Sequence, residues 1–362
     1  MANFKITKGM DIKLTGAPAP IIEEAAAVRQ VAIQPEEFVG IKPRLHVKEG
    51  DTVKRGTPLI FDKRNPTFQI CSPAGGKIAK IEYGKRRVME RVVVEIDDRE
   101  QVETYPKYTI DQLISADGKT LLAHLTATGM TALITARPFS RMANPAIAPK
   151  SIFVNGMSTA PYQPDANVLI KGQENAFQAG LNALTRLTAG KVHLCLDGKV
   201  ENAAGLKAAK NVEVHTFTGP HPSGNTSVHI HHIDAISPGD TVWSLKAQDV
   251  MVIGQFLLSG EYPSHRIITL AGSGVQPVAA KYYRVRIGAS LSAITGGKLK
   301  DGEMRLIGGD MLAGIKVSPA SYLRYNEQAI TVLPEDRERH FLGWMAPGHN
   351  RLSVSRTFVS TW

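Results

Sequence analysis

Three observations predict an α/β protein, α+β in the multidomain sense. Between Val31 and Ile96, short β runs alternate with tight turns at Glu49-Gly50-Asp51, Arg55-Gly56-Thr57 and Ala74-Gly75-Gly76, the punctuation of a small all-β unit. Between Ile152 and Phe217, apolar strands alternate with amphipathic stretches, which argues for a parallel, Rossmann-like α/β sheet. From Ser264 a strand, a Gly-rich turn, a second strand and a short helix at Ser290–Ile294 open a further unit. A chain of 362 residues is also longer than one hydrophobic core usually serves. The expected division is 1–103, 104–263, 264–330 and the start of a last segment at 331–362.

Taken in order, residues 1–30 alternate weakly and turn Pro- and Ala-rich at Gly16–Pro20. Val31–Ile33 and Phe38–Ile41 read as strands flanking a turn at Pro35-Glu36-Glu37. Ile110, Leu113 and Ile114 mark one helix. Leu121, Leu122 and Leu125 mark another, ended by Gly129. Ile152-Phe153-Val154 is a buried strand that ends in Asn155-Gly156 and a loop broken by Pro161 and Pro164. Open α/β sheets bind ligands at such carboxyl ends. Gln173–Leu187 presents Phe177, Gly180, Leu181, Leu184 and Leu187 on one helical face. Lys191–Leu196 is a strand, Asn202–Ala209 a helix and Val212–Phe217 a strand. Gln248–Leu258 is a helix with Val250, Ile253, Gly254 and Leu257 inward, and Tyr325–Trp362 is β-like with interspersed basic residues.

Hydrophobic residues make up 43% and charged residues 21% of the chain, ordinary values for a folded domain. The formal net charge of +10 fits nucleic acid, an anionic membrane surface, an acidic protein neighbour or a solvated surface. No nucleic-acid motif accompanies the charge. No run approaches the roughly 18–20 apolar residues of a membrane span, and the N-terminus lacks a signal-peptide pattern. Cys71 and Cys195 lie far apart in apolar runs, as expected of buried thiols in a reducing compartment. Two cysteines cannot ligate an iron–sulfur cluster without outside help. Lys85-Arg86-Arg87 with Arg91 reads as a solvated turn or a docking face.

Two stretches carry candidate chemistry. The loop ARPFSR places Arg137, Phe139 and Arg141 beside a proline: an aromatic ring for stacking and guanidinium groups for a carbonyl or anionic oxygen. The alternatives there are loop packing and protein docking. Five histidines lie between His215 and His232. His221, with His229 and His231 sharing a face if their segment is a strand, makes a metal site conceivable, although loop and capping roles are the default. No G-x-G-x-x-G opens a helix, so a dinucleotide has no standard cradle.

The spacing V-K-x-G-D-x-V-x-x-G-x-P-L from Val47, followed by S-P-x-x-G-K-I from Ser72, resembles the barrel-sandwich fold of biotinyl and lipoyl carrier domains. Lys63 would be the attachment lysine of such a carrier. It comes too early after the Leu, however, and Pro66 follows it, so a half-barrel without biotin or lipoyl is expected. In order along the chain, ITKGMDIKLTGAP, the half-barrel, ARPFSR, GPHP-G, LSGEY, IITLAGSGV, GASL and FLGWMAPG resemble the A subunits of the bacterial sodium-translocating NADH:quinone reductases. That resemblance implies a peripheral protein on the cytoplasmic side of the inner membrane, held by the other members of a six-subunit complex. It implies that the complex couples NADH oxidation and ubiquinone reduction to sodium export, that the chain in isolation is inactive, and that family members continue beyond Trp362.

The same order of half-barrel, α/β domain and β-grasp (SLBB-like) module is similar to the C subunits of the Rnf complexes and to the flavoprotein subunit of respiratory complex I. Those relatives carry a loop G-x-G-G-A-G-F-P where this chain has residues 129–138, and glycine there lets backbone amides approach the flavin phosphate. Here residues 130–137 contain no glycine. The relatives' N-x-x-E-x-E-P is matched by Asn155-Gly-Met-Ser-Thr-Ala-Pro161, with both acidic positions neutral. The resemblance thus implies a vacated flavin site, no FMN and no iron–sulfur cluster, with ARPFSR standing in the vacated place. It also implies ubiquinone or a quinone-like inhibitor as the chain's own ligand, with Arg137, Phe139 and Arg141 as candidates and Phe38 as a second aromatic. The other implied role is purely structural, docking on the membrane subunits.

Overall fold

The computed structural model describes residues 2–199, 204–337, 341–343 and 345. The predicted β-like segment after Pro334 falls largely outside them, as does the start of the predicted helix at Asn202.

The half-barrel is two small sheets. One holds Gln30–Ile33, Met89–Ile96, Gly76–Tyr83 and Thr52–Val53; the other holds Pro43–Leu45, Pro58–Asp62 and Asn65–Cys71. Val31, Ile33, Leu59, Ile60, Ile78, Val92 and Val94 fill the space between them. Gly76 is required where the chain enters its strand. Its φ is +155°, and a Cβ would stand 1.9 Å from the Glu95 carbonyl oxygen. The expected strand at Phe38–Ile41 does not form. Pro35 fixes φ at the first position of a 3-10 turn, Pro35–Glu37, and the Phe38 N–H donates to the Pro35 carbonyl at 3.2 Å, which turns the chain inward.

The central sheet has seven strands in the order Ala2–Lys5, Glu213–Thr218, Val192–Asp197, Ile152–Gly156, Val242–Lys246, Thr135–Arg137 and Arg141–Met142. The first five run parallel and the last two form an antiparallel hairpin on the edge. Glu174–Thr185 and Ala247–Ser259 cross against each other on one face. Their axes come close because Gly180 and Gly254 meet there: a Cβ on Gly254 would lie 1.8 Å from the Ala176 carbonyl oxygen. On the other face Phe153, Cys195, Phe217 and Ile230 form a smaller cluster. Ile230 comes from the helix Thr226–Ile233.

The third module is a six-stranded sheet ordered Ile315–Val317, Met304–Gly308, Ala329–Pro334, His265–Ala271, Lys281–Arg286 and Ala19–Glu24, with the helix Leu291–Thr295 packed on it. Within the expected 1–103 division, the strands Ala2–Lys5 and Ala19–Glu24 therefore pair outside the half-barrel. Phe4 stacks on Phe217 at 4.8 Å and completes the α/β sheet, while Ala19–Glu24 completes the third. An edge strand needs a ladder and an apolar partner, and these two find theirs in separate modules. The first segment thereby ties the α/β domain to the third module. One continuous core runs from Phe68 and Ile70 of the half-barrel through Leu125, Met130 and Ile134 into the α/β domain.

Candidate functional site: a cleft between the half-barrel and the α/β domain

The hairpin Thr135–Arg137 and Arg141–Met142 turns through Pro138, Phe139 and Ser140. It is anchored on both sides. Thr135 and Arg137 lie opposite Ser244 and Val242 of the α/β sheet, and the Met142 N–H donates to the Val39 carbonyl of the half-barrel at 2.9 Å. A cleft of about 870 Å³ opens beneath it, with Phe68 and Ile41 on the half-barrel side and Ile147, Ile236 and Pro238 on the other. That is the size and apolar character of a small-molecule site. The hairpin brings Arg137, Phe139 and Arg141 together in its wall.

The three side chains differ in freedom. Phe139 is 74% exposed, and the Arg141 guanidinium lies over its ring at 5.6 Å, within cation–π range. Arg137 is half-buried and donates to Ser244 Oγ (3.3 Å) and Ser140 Oγ (2.9 Å). Burial pulls its pKa below the ordinary guanidinium value but leaves it cationic. At the half-barrel rim Asp62 accepts from the Lys42 and Arg64 N–H groups, and on the far wall Lys150 pairs with Asp234 (2.6 Å) and Asp240 (3.2 Å). The carboxylates at the cleft are thus occupied, and the polar groups that the hairpin offers a ligand are cationic.

Phe38 does not belong to this site. It is 2% exposed, packed in the core with Tyr325 at 5.7 Å, because the 3-10 turn points it inward. Lys63 stands at an exposed two-residue tip, since Asp62 pairs with Asn65 across the turn. Lys85, Arg86 and Arg87 form an exposed turn. The segment around His229 is a helix, not a strand, because Ile230 and Ile233 one turn apart are its apolar contacts. His229 is buried against the Ser223 carbonyl (2.9 Å), His221 contacts Thr159 (3.0 Å) and His231 is exposed, so each has its own surroundings.

The hairpin also corrects where the supposed vacancy lies. Strands Ile152–Gly156 and Val242–Lys246 end together at Asn155 and Lys246. The edge strand runs against them, so Thr135 is nearer that carboxyl end and Arg137 nearer the amino end. ARPFSR therefore faces the opposite end of the sheet from the residues that replace the Gly-rich loop. Those residues form a buried 3-10 turn, Met130–Leu133, with Gly129 in the left-handed region against the half-barrel: a Cβ there would meet the Gln69 carbonyl oxygen at 2.9 Å. At the carboxyl end an opening of about 60 Å³ lies among Asn155, Lys246 and Gln248, and another of about 160 Å³ borders Lys246 and Asp310. The Asn155 side chain is committed to the Gly224 carbonyl, Thr226 Oγ1 and the Met157 N–H.

A second cluster, which sequence spacing alone does not reveal, lies on two neighbouring strands. The register sets His193 opposite Glu213, and His215 follows two residues later on the same face. His193 Nδ1 is 3.1 Å from His215 Nε2, and Glu213 Oε2 is 3.5 and 3.7 Å from these two atoms. A histidine inside an apolar strand and a Glu-x-His pair in the next are the only signals the sequence offers. Parallel register alone joins them.

A half-barrel docked on a Rossmann-like domain, with a β-grasp-type third module and a cleft at the first junction, defines a modular class of α/β proteins. Family models match all three units: the NqrA N-terminal barrel-sandwich hybrid domain over residues 4–97, the NqrA second alpha/beta domain over 116–262 and the NQRA C-terminal domain over 267–318. The chain is 40% identical over 356 residues to the A subunit of the Na(+)-translocating NADH-quinone reductase of Pasteurella multocida (strain Pm70), and 39% identical over 360 residues to that of Yersinia pseudotuberculosis serotype O:1b (strain IP 31758). Each match spans 98% of this chain and 78% of the relative. An NAD+-reducing [NiFe]-hydrogenase is similar over 65% of this chain and 52% of its own, at 12% identity and a TM-score of 0.42. The chain belongs to the NqrA family, the A subunits of the Na(+)-translocating NADH-quinone reductases.

Proposed function

We propose that this chain is the peripheral A subunit of a sodium-pumping NADH–quinone reductase, and that its cleft at Phe139 takes a quinone ring. Family membership supports the first part, and the other subunits of such a complex are then its partners. No helix among the described residues is long and apolar enough to cross a membrane, so contact with the bilayer runs through those partners. Cys71 and Cys195 are buried free thiols, in keeping with a cytoplasmic-side position.

The observation that carries the second part is the juxtaposition of a solvent-facing aromatic ring with guanidinium groups in an apolar cleft of about 870 Å³. A quinone needs a flat apolar surface for its ring and donors for its two carbonyl oxygens, and an arginine also stabilises negative charge gained on reduction. The chain on this reading carries no flavin of its own. A buried 3-10 turn replaces the glycines, and the openings of about 60 and 160 Å³ at the strand ends are each smaller than a mononucleotide. Electron transfer from NADH is therefore the work of other subunits, and the isolated chain is inactive. Titration of the purified chain with a short-chain ubiquinone in a calorimeter tests the quinone site. Saturable binding weakened by Phe139→Ala and Arg141→Ala is expected, and no saturable heat would reject it.

A second reading is favoured by Val39 and Ile147, which with Phe139 expose large apolar surface near the same cleft (51%, 47% and 74%). Such a rim also suits a docking face for a neighbouring protein of the complex. The same two substitutions separate the readings: loss of assembly with quinone binding intact supports docking.

A further inference from the structure

We propose that His193, Glu213 and His215 form a zinc-binding site on two adjacent parallel strands of the α/β sheet. Three lone-pair atoms converge there: His193 Nδ1, His215 Nε2 and Glu213 Oε2, separated by 3.1, 3.5 and 3.7 Å. Tetrahedral zinc with bonds of about 2.0–2.1 Å holds its ligands roughly 3.3 Å apart, which matches these separations. A hydrogen bond between the two imidazoles places one proton between two of the three atoms. A divalent cation satisfies all three at once. Two imidazoles and one carboxylate select zinc over magnesium or calcium, which prefer all-oxygen sites.

The surroundings suit a metal in other respects. Lys191 pairs with the other carboxylate oxygen of Glu213, which fixes Oε2 towards the histidines while lowering the charge that the site offers. His193 packs on Phe153 at 4.8 Å, which restrains one ligand. Glu213 is 42% exposed in its side chain and, with His215, borders an open depression of about 620 Å³. Three protein ligands and an outward fourth position leave a place for water and a route for the ion. His215 also lies opposite Ala2 in the neighbouring edge strand, so the metal ties together the strands that hold the N-terminal segment.

The test uses the full chain, stripped with a chelator and titrated with Co²⁺ as a spectroscopic stand-in, then with Zn²⁺. Expected are visible absorption of tetrahedral intensity, saturation at one ion per chain, displacement by Zn²⁺ and a rise in the thermal midpoint with Zn²⁺. Glu213→Gln and His215→Gln each lower the affinity at least tenfold, while His231→Gln, at an exposed histidine of the nearby helix, leaves it unchanged. Because His215 is buried, far-ultraviolet circular dichroism checks its variant, and the half-exposed Glu213→Gln carries the test if that variant unfolds. Absence of saturable Co²⁺ binding, binding insensitive to Glu213→Gln, or binding lost in His231→Gln would overturn the assignment.

Discussion

Phe139→Ala isolates the proposed quinone cleft because it is expected to act differently on stability and on binding. The ring is 74% exposed, and the Arg141 guanidinium lies over it at 5.6 Å. Removing it deletes little native packing and should change folding stability by no more than about 0.5 kcal/mol. A bound quinone would bury most of the exposed ring. Burial of a Phe side chain contributes about 1.5–3 kcal/mol, and an aromatic pair adds about 0.5–1.5 kcal/mol. Discounted for the part of the ring already covered, the expected loss is about 2–3 kcal/mol, or roughly 30- to 150-fold in Kd. Calorimetric titration with a short-chain ubiquinone measures it, alongside a urea unfolding curve. A Kd within threefold of the parent, with saturable binding preserved, would show that the ring does not touch the quinone. Phe38→Ala is the contrast: at 2% exposure it should destabilise the chain by about 3–5 kcal/mol.

Other expectations follow from buried features away from the cleft. Arg266 and Asp249 form a buried pair at 3.0 Å between the third module and the α/β domain, and Arg266 also donates to the Tyr325 carbonyl. Asp249→Ala leaves an uncompensated buried cation and should cost about 3–5 kcal/mol, less when Arg266→Met is added; a double-mutant cycle in urea checks this. Glu37 is buried, and desolvation pushes its pKa up to about 8, with Oε1 unpartnered. Its folded form keeps a proton that the unfolded chain releases above about 4.5, so its contribution is present below that pH and lost as pH rises towards 8. Glu37→Gln should remove this fall while still accepting from the Tyr325 N–H, as unfolding midpoints at pH 5 and 8 would show. Burial conversely lowers His229 to about 4. The stability it contributes is complete above about 6.5 and lost as pH falls towards 4, by an amount on the order of 3 kcal/mol, and His229→Asn should flatten that acid limb. Gly254→Ala drives a methyl into the Ala176 carbonyl and should cost about 1–3 kcal/mol by overpacking, read from the urea midpoint.

Much of the architecture is legible in the sequence because local pattern and final environment agree. The apolar run 152–154 is a strand buried on both faces, and the 3.6-residue spacing of Phe177, Leu181 and Leu184 is a helix whose apolar face is buried. Where local pattern is ambiguous, tertiary contacts choose. His229 and His231 alternate as a strand would, yet Ile230 and Ile233 decide for a helix by packing on the sheet. Phe38 reads as an available ring beside a turn, and Pro35 sets the turn that buries it. ARPFSR has the residue types of a ligand loop, but which end of the sheet it faces depends on the antiparallel pairing of Thr135 with Ser244, a long-range register that no local spacing encodes.

Residue types and their order along the chain were enough to determine three modules, the absence of glycines at 130–137, the cationic aromatic loop and membership of the NqrA family. Only the tertiary structure decided that the strands within residues 2–24 complete two different sheets. It alone separated the cationic loop from the carboxyl end of the sheet, and it alone drew His193 to within 3.1 Å of His215. The physical reason is the same in each case. Local preferences act over a few residues, whereas strand partners and register are set by which apolar faces the whole chain can bury together.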